Sequence, residues 1–269
     1  MPVKKTKGAL HIIGLGTKYI SQVTLESNSC ALHADVLAHC EPDPRITDYA
    51  ASIGKREVNL SHFIKDGARR PSAYQSVADA VIQIVQSGQN CAFLAPGNPV
   101  FLNSVVHRLR IAARNQGIHM TCSPGVSSID CMINDLFPWS ELSGFHCFES
   151  TTFVAMRPRV DTRFPLLLFQ PGVVGVDDVR LDSGPSVPGV RLLQNALVEV
   201  YERGERWIAI RTSMANDDGP IAVIGILDEL EKNAAAMALG SLVIPGPTHQ
   251  GVFSSLQTQP STNPTTRIY

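Results

Sequence analysis

The sequence predicts an α/β protein made of two α/β domains. Short apolar runs alternate with amphipathic stretches through the first half, and strands separated by helices form a parallel sheet, because parallel neighbours need a crossover. After Ser123-Pro124-Gly125 the strands shorten and the polar connections between them lengthen, which puts a domain boundary near Cys122 to Pro124. The 269 residues are 44% hydrophobic and 17% charged, enough apolar material for two cores and too little charge for disorder.

Leu10-His11-Ile12-Ile13 before Gly14-Leu15-Gly16 is a buried strand ending in a tight turn. Val23 to Ala34 is helix-like, Ala34-Asp35-Val36-Leu37-Ala38 begins a second strand, and Val58-Asn59-Leu60 a third. A polar loop from Ser61 to Arg70 follows. The clearest helix places Tyr74, Val77, Ala78, Val81, Ile84 and Val85 on one face, with Pro71 at its start and Gly88 at its stop. Cys91 to Ala95 is a strand running into the turn Pro96-Gly97-Asn98-Pro99; a helix over Leu102 to Asn115 and a strand over Ile118 to Cys122 close this half. The second half offers a helix at Ser127 to Asp135 and strands at Gly144–Phe148, Leu166–Phe169, Trp207–Arg211 and Ile221–Ile224. One helix is expected near Val190 to Arg203 and a short one around Leu227 to Lys232. Domains are therefore expected at 1–122 and 123–247, with 248–269, rich in Ser, Thr, Gln and Pro, as a mobile tail.

Twenty-three basic against 24 acidic residues give a net charge of −1. That leaves no electrostatic footprint for nucleic acid or an anionic membrane. No apolar run is long enough to span a bilayer, and no secretory signal is legible, so a cytoplasmic protein is expected. The six cysteines form no CxxC pair and the eight histidines no HxxxH or HExxH spacing, so neither disulfides nor a metal site are expected.

Four motifs bear on chemistry. Gly14-x-Gly16 suits close approach of a nucleotide to backbone, or a plain turn; Tyr19 stands where a dinucleotide fingerprint needs its third glycine. Pro96-Gly97-Asn98-Pro99 lies where open α/β sheets bind ligands, or is an ordinary connection. In Ser123-Pro124-Gly125-Val126-Ser127-Ser128 the hydroxyls either face a ligand or cap a helix. Arg70 and Tyr74 sit at the mouth of the long helix, where a guanidinium would lower the phenol's pKa and make it a base; alternatively Tyr74 packs on the core and Arg70 is solvated.

In their order, Ile13-Gly14-Leu15-Gly16 with Val23-Thr24, Ala34-Asp35-Val36, Pro96-Gly97-Asn98-Pro99, Pro124-Gly125-Val126-Ser127-Ser128 and Leu242-Val243-Ile244-Pro245 resemble the class III, tetrapyrrole-methylase-like S-adenosylmethionine-dependent methyltransferases over residues 8 to 247. Arg70-x-x-x-Tyr74, Gly97-Asn98-Pro99, Gly144-x-x-x-Phe148-Glu149-Ser150 and Leu166-Leu167-Leu168-x-Gln170 are most similar to the borosin peptide backbone α-N-methyltransferases, the split type above all. Ile64 and Pro96 stand where that group often has tyrosines, and Asn98 where it has histidine or aspartate.

The resemblance implies two α/β domains of the tetrapyrrole methylase type with S-adenosylmethionine in the cleft between them, and S-adenosylhomocysteine as product. It implies cofactor contacts from Leu15, Pro96, Asn98, Val100, Phe101, Ser127, Ser128, Gln170, Ala215 and Ile221, with Tyr74 as base and Arg70 stabilising an imidate. The expected partners are a second copy of the chain and a precursor peptide. The last 19 residues, from Gly251, are too short for a fused substrate, so the peptide is expected as a separate chain. The alternatives are a tetrapyrrole or other small-molecule methyltransferase, and a silent protein that binds cofactor or peptide without turnover.

Overall fold

The computed structural model describes residues 7–138, 141–213, 219–258 and 267–268. The chain divides into two compact units, Met1–Asp130 with Asp177–Val179, and Cys131–Val176 with Arg180–Tyr269.

The first unit holds β1 (Leu10–Gly14), α1 (Leu25–His33), β2 (Val36–His39), α2 (Pro44–Ser52), β3 (Arg56–Asn59), α3 (Arg70–Gln86), β4 (Cys91–Ala95), α4 (Ser104–Gln116) and β5 (Met120–Ser123). The strands form one parallel sheet in the order β3-β2-β4-β1-β5. Strand alternation sends Leu10, Ile12, Cys91, Phe93 and Ala95 into one core with Val77, Val81 and Val85 of α3 and Val106 and Leu109 of α4. Local chemistry sets the helix ends. Thr24, Asp43 and Asn103 accept hydrogen bonds from the Ser27, Arg45 and Val106 amides at 3.1, 2.9 and 3.1 Å, as N-caps do.

The second unit contains α5 (Ser128–Leu136, which spans the division), β6 (His146–Glu149), α6 (Ser150–Met156), β7 (Leu166–Phe169), α7 (Val187–Leu197), β8 (Arg206–Arg211), β9 (Ile221–Ile226), β10 (Ser241–Ile244), α8 (Val252–Thr258) and β11 (Arg267–Ile268). Its sheet, β11-β9-β8-β10-β7-β6, is mixed: β7 pairs with β6 and β11 with β9 in parallel, and the other pairs are antiparallel. Trp207 is fully buried and donates its indole N–H to the Ile226 carbonyl at 2.8 Å.

Several elements depart from the sequence expectations. The second strand starts at Val36, because Ala34 closes the last turn of α1 by bonding the Ala31 carbonyl. α2 was not anticipated, although Asp43 and Pro44 are a standard start signal. α7 begins earlier and ends sooner than Val190 to Arg203, with Ser186 accepting from the Gly189 amide. Leu227 to Lys232 is not an α-helix: Leu227–Glu229 is a single 3-10 turn, with a second at Ala234–Leu239. The supposed aperiodic tail carries α8, whose Val252, Phe253 and Leu256 are buried on one face, and β11.

Candidate functional site

In the first unit, the connection after β1 runs one way across the sheet to β2, and the connection after β4 runs the other way to β5. The two connections therefore run across each other at the carboxyl ends of the adjacent strands β1 and β4, the end of an open α/β sheet at which ligands usually sit. They are locked together there. Gly16 donates to the Gly97 carbonyl at 3.3 Å and Gly97 to the Gly16 carbonyl at 3.0 Å. A third loop closes on them: a Cβ on Gly14 would meet the Gly125 amide nitrogen at 2.4 Å, and one on Gly125 the Gly97 carbonyl oxygen at 2.4 Å. Gly14 and Gly125 are thus glycines because backbone packs on backbone.

Leu15 is fully buried and its N–H bonds the Ala95 carbonyl at 2.9 Å. Asn98 builds its own turn: its side-chain oxygen accepts from the Val100 amide and its carbonyl from the Phe101 amide, both at 3.1 Å. The same turn leaves Val100 57% exposed, with Pro96 and Phe101 half-buried. Ser127 caps α5 in a capping box: its hydroxyl accepts from the Ile129 amide at 3.2 Å, and Asp130 accepts from the Ser127 amide at 2.9 Å. Ser128 is half-buried at the first position of that helix. Strand order thus gathers Leu15, Pro96, Asn98 and Ser127 from separate parts of the chain.

Of the other expected contacts, Gln170 is exposed just after β7 in a left-handed conformation, φ 57°, and Ile221 is half-buried at the start of β9. Both belong to the second unit. Ala215 lies outside the described residues. Glu149 and Ser150 have structural work: Glu149 caps α6 through the Thr151 and Thr152 amides, and Ser150 donates to the Phe169 carbonyl at 2.6 Å.

Arg70 is the first residue of α3 and Tyr74 lies one turn on, so they share a face. The start of α3 is held by a distant segment. Arg70 donates its amide to the Asp177 carbonyl at 2.7 Å, Gly67 to Val179 at 2.8 Å, and Val179 to Ala68 at 2.8 Å. This clamp left no signal in the sequence, because its two halves are about a hundred residues apart.

The structure corrects the expectation for Tyr74. Burial pushes its phenol above the ordinary value of 10, and Cys40 and Glu41 add to the rise; Arg70 and Arg108 pull it down without cancelling it. Tyr74 also packs against the core of the first unit. It is therefore a protonated phenol at rest.

Cys40 and Glu41, just past β2, escaped sequence reasoning, and only the apolar strand before them hints at their place at a sheet end. His39, fully buried, faces an acceptor with each ring nitrogen: the Glu41 carbonyl at 2.8 Å and the Glu57 carboxylate at 2.7 Å. Among the described residues no group of three or more His, Cys, Asp or Glu could hold a metal ion. No described helix is long and apolar enough to cross a membrane.

Residues 9–141 match the family model of the tetrapyrrole (corrin/porphyrin) methylases. Over these residues the chain is similar to the tetrapyrrole methylases. The loop junction at Gly14, Gly97 and Gly125 lies inside the matched stretch. Over 87% of its length the chain is 26% identical to the methyltransferase/ribosomally synthesized cyclic peptide dendrothelin A precursor of Dendrothele bispora, covering 56% of that protein. Over 64% it is 30% identical to the corresponding omphalotin A precursor of Omphalotus olearius, covering 41% of it. The chain thus spans about half the length of the curated relatives it matches. The fold is similar to that of uroporphyrin-III-C-methyltransferase from Thermus thermophilus, with a TM-score of 0.65 at 16% identity, over 93% of this chain and 98% of that one. The two-domain α/β architecture read from the sequence is the architecture of these neighbours.

Proposed function

We propose that the chain is an S-adenosylmethionine-dependent methyltransferase that N-methylates backbone amides of a peptide. The observation that carries this is the pair Arg70 and Tyr74, one helical turn apart at the clamped start of α3, in a domain whose curated relatives are named methyltransferase and cyclic peptide precursor.

The loops fit the cofactor chemically. No side chain from Ala92 to Val106 is charged, and a Cβ on Gly97 would meet only the Val126 carbonyl oxygen, at 3.9 Å. A neutral, open, partly apolar rim with an exposed valine suits a cationic sulfonium and a flat heterocycle, and has no basic group for a phosphate. The Pro96–Asn98 turn, Val100, Phe101 and Ser128 would hold it. When bound, S-adenosylmethionine supplies an electrophilic methyl group.

The chain's own residues must then make an amide nitrogen nucleophilic. An amide nitrogen attacks only as its proton leaves and negative charge collects on the amide oxygen. Arg70 supplies a permanent positive charge to stabilise that oxygen. Tyr74, one turn away, would take that proton at its oxygen as its own hydroxyl proton passes to solvent. The clamp on Gly67, Ala68 and Arg70 keeps the two groups in fixed relation, which is where most of the rate gain from alignment arises.

Calorimetry with S-adenosylmethionine should show saturable binding. Incubation with methyl-labelled cofactor and a pool of synthetic apolar peptides should transfer label to peptide, read by mass spectrometry as single-methyl increments on backbone amides. Tyr74→Phe should cut turnover by about 100-fold or more with cofactor affinity nearly unchanged. Near-normal turnover removes Tyr74 from the proton-accepting role. Labelling of a uroporphyrinogen and of no peptide would move the assignment to tetrapyrroles, and binding without any transfer to a silent homologue.

A further inference from the structure

Away from the loop junction, one surface of the first unit carries positive charge that nothing within the chain matches. From Ala80 to Ile129 there is no Asp or Glu, although acidic and basic residues balance overall at 24 to 23. The arginines of that stretch, Arg108, Arg110 and Arg114, all lie on α4. This helix buries Val105, Val106, Leu109 and Ala113 in the core. Its opposite face is a stripe of exposed side chains, His107, Arg110, Ile111 and Arg114, at i, i+3, i+4 and i+7. Ile111, within the stripe, is 48% exposed. Lys7 adds an ammonium at the carboxyl end of the same helix, donating to the Gln116 carbonyl at 2.5 Å. Arg108, which is half-buried, donates to the Ser104 carbonyl at 3.2 Å. Among the described residues no carboxylate pairs with Lys7, Arg110 or Arg114, whereas Arg45, Arg163, Arg191 and Arg203 each hold one at 2.6–2.7 Å.

We propose that this face of α4 docks an acidic helical segment of a partner peptide. From His107 to Arg114 the stripe rises about 10 Å along the helix axis. Carboxylates at i, i+3 or i+4, and i+7 of a facing helix repeat with the same spacing. Each guanidinium then meets a carboxylate, and an apolar side chain between them covers Ile111. Arginine suits this task, because its planar fork takes a carboxylate through two N–H groups and keeps its charge at any working pH. The same stripe is a poor match for other anionic surfaces. α4 has no aromatic side chain on which a base could stack, and its exposed cations are too few to follow a phosphate backbone. A lone isoleucine is too little apolar surface to enter a bilayer interface. α4 begins just after the Pro96–Phe101 turn, so a chain laid along it has one end beside the loop junction. The docking itself does not depend on which reaction takes place there.

Fluorescence anisotropy on the full chain tests this. The probe is a labelled synthetic peptide of about 20 residues, long enough to be helical alone, with Glu at i, i+3 and i+7 and Leu at i+4, repeated along its length. It should bind saturably, and less tightly as salt is raised from about 0.05 to about 0.5 M. Arg110→Glu combined with Arg114→Glu should weaken binding about tenfold or more, and Ile111→Ala about threefold. Lys55→Glu combined with Arg56→Glu changes the net charge equally on another element and should leave binding unchanged. If the first pair does not fold, judged by its circular dichroism melt, Arg110→Gln with Arg114→Gln takes its place and should weaken binding about threefold. Absence of saturable binding by the wild type overturns the proposal. So does an equal loss in the two charge-reversed pairs, which would reduce the effect to net charge, or an unchanged affinity in the glutamine pair. Labelled duplex DNA and phosphatidylserine vesicles, titrated alongside, should bind more weakly than the peptide. Tighter binding of either, lost with Arg110 and Arg114, overturns the proposal in favour of that surface. Self-association in sedimentation that is lost in Arg110→Glu with Arg114→Glu would give the face to a second copy of the chain and overturn it equally.

Discussion

Gly125→Ala tests whether the meeting of three loops, rather than any one turn, builds the junction at the carboxyl ends of β1 and β4. The new methyl would lie 2.4 Å from the Gly97 carbonyl oxygen and 2.8 and 2.9 Å from the Gly14 carbonyl carbon and Cα. Ordinary contact begins near 3.4 Å, so the loops must part by about 1 Å, and backbone on both sides cannot rotate aside. Overpacking of this kind costs about 1–3 kcal/mol. Parting the loops also stretches the reciprocal Gly16–Gly97 hydrogen bonds, at about 1 kcal/mol each. The sum is about 4 kcal/mol, or about 10–15 °C in Tm for a unit of this size. Gly125 has no positive φ, so none of this comes from backbone conformation. Gly54→Ala is the matched control. Its Cβ has open space but φ is +66°, and it should cost only about 1 kcal/mol. Thermal melts of both variants by circular dichroism, with calorimetric binding of S-adenosylmethionine, give the comparison. A Gly125→Ala midpoint within about 3 °C of Gly54→Ala would refute the steric reasoning.

Ser127→Ala should cost about 1 kcal/mol through loss of the α5 cap, seen in a denaturant melt, with cofactor affinity unchanged; a tenfold loss of affinity would instead put the hydroxyl on the ligand. In Glu57, burial works against ionisation, but hydrogen bonds from His39 and Thr47 overcome it and hold the carboxyl below its ordinary 4.5. A lowered folded value contributes stability above the unfolded value and loses it as pH falls. Glu57→Gln should therefore destabilise most at pH 6, and its melting curve should converge on the wild type's as the pH is taken below 4.5; a gap that persists in acid would contradict this. Val179→Pro removes the amide that bonds the Ala68 carbonyl, and should slow turnover while leaving cofactor affinity intact, measured by kinetics and calorimetry side by side.

Much of the first unit is legible in the sequence because its signals are local. The β1 and β4 strands are continuous apolar runs, as a sheet covered on both faces requires, and α3 shows its periodicity within seventeen residues. α2 and α6 are shorter, nine and seven residues, and their apolar faces are too brief to show a period. Both start signals, Asp43-Pro44 and Glu149-Ser150, were present without a pattern to follow them. In the second unit the boundaries of α7 and the 3-10 turns after Leu227 depend on packing rather than on propensity. At the candidate site, Arg70 and Tyr74 stand out by their spacing on one helix. The clamp from Asp177 and Val179 does not, because nothing in a single sequence marks hydrogen bonds between segments about a hundred residues apart.

The sequence alone determined the α/β class, the order of the strands along the chain and the turns that end them, since periodicity, caps and proline positions act over a few residues. It also supplied the ordered motifs that place the chain beside the tetrapyrrole methylases. Tertiary structure alone decided what those motifs do. Gly14 and Gly125 serve a backbone contact, Ser127 caps a helix, and the segment Asp177–Val179 secures the start of α3. The protonation of Tyr74 was decided there too. Adjacent Arg70 favours the phenolate, but burial outweighs it, because removal from water acts on a charge more strongly than one partly solvated neighbour.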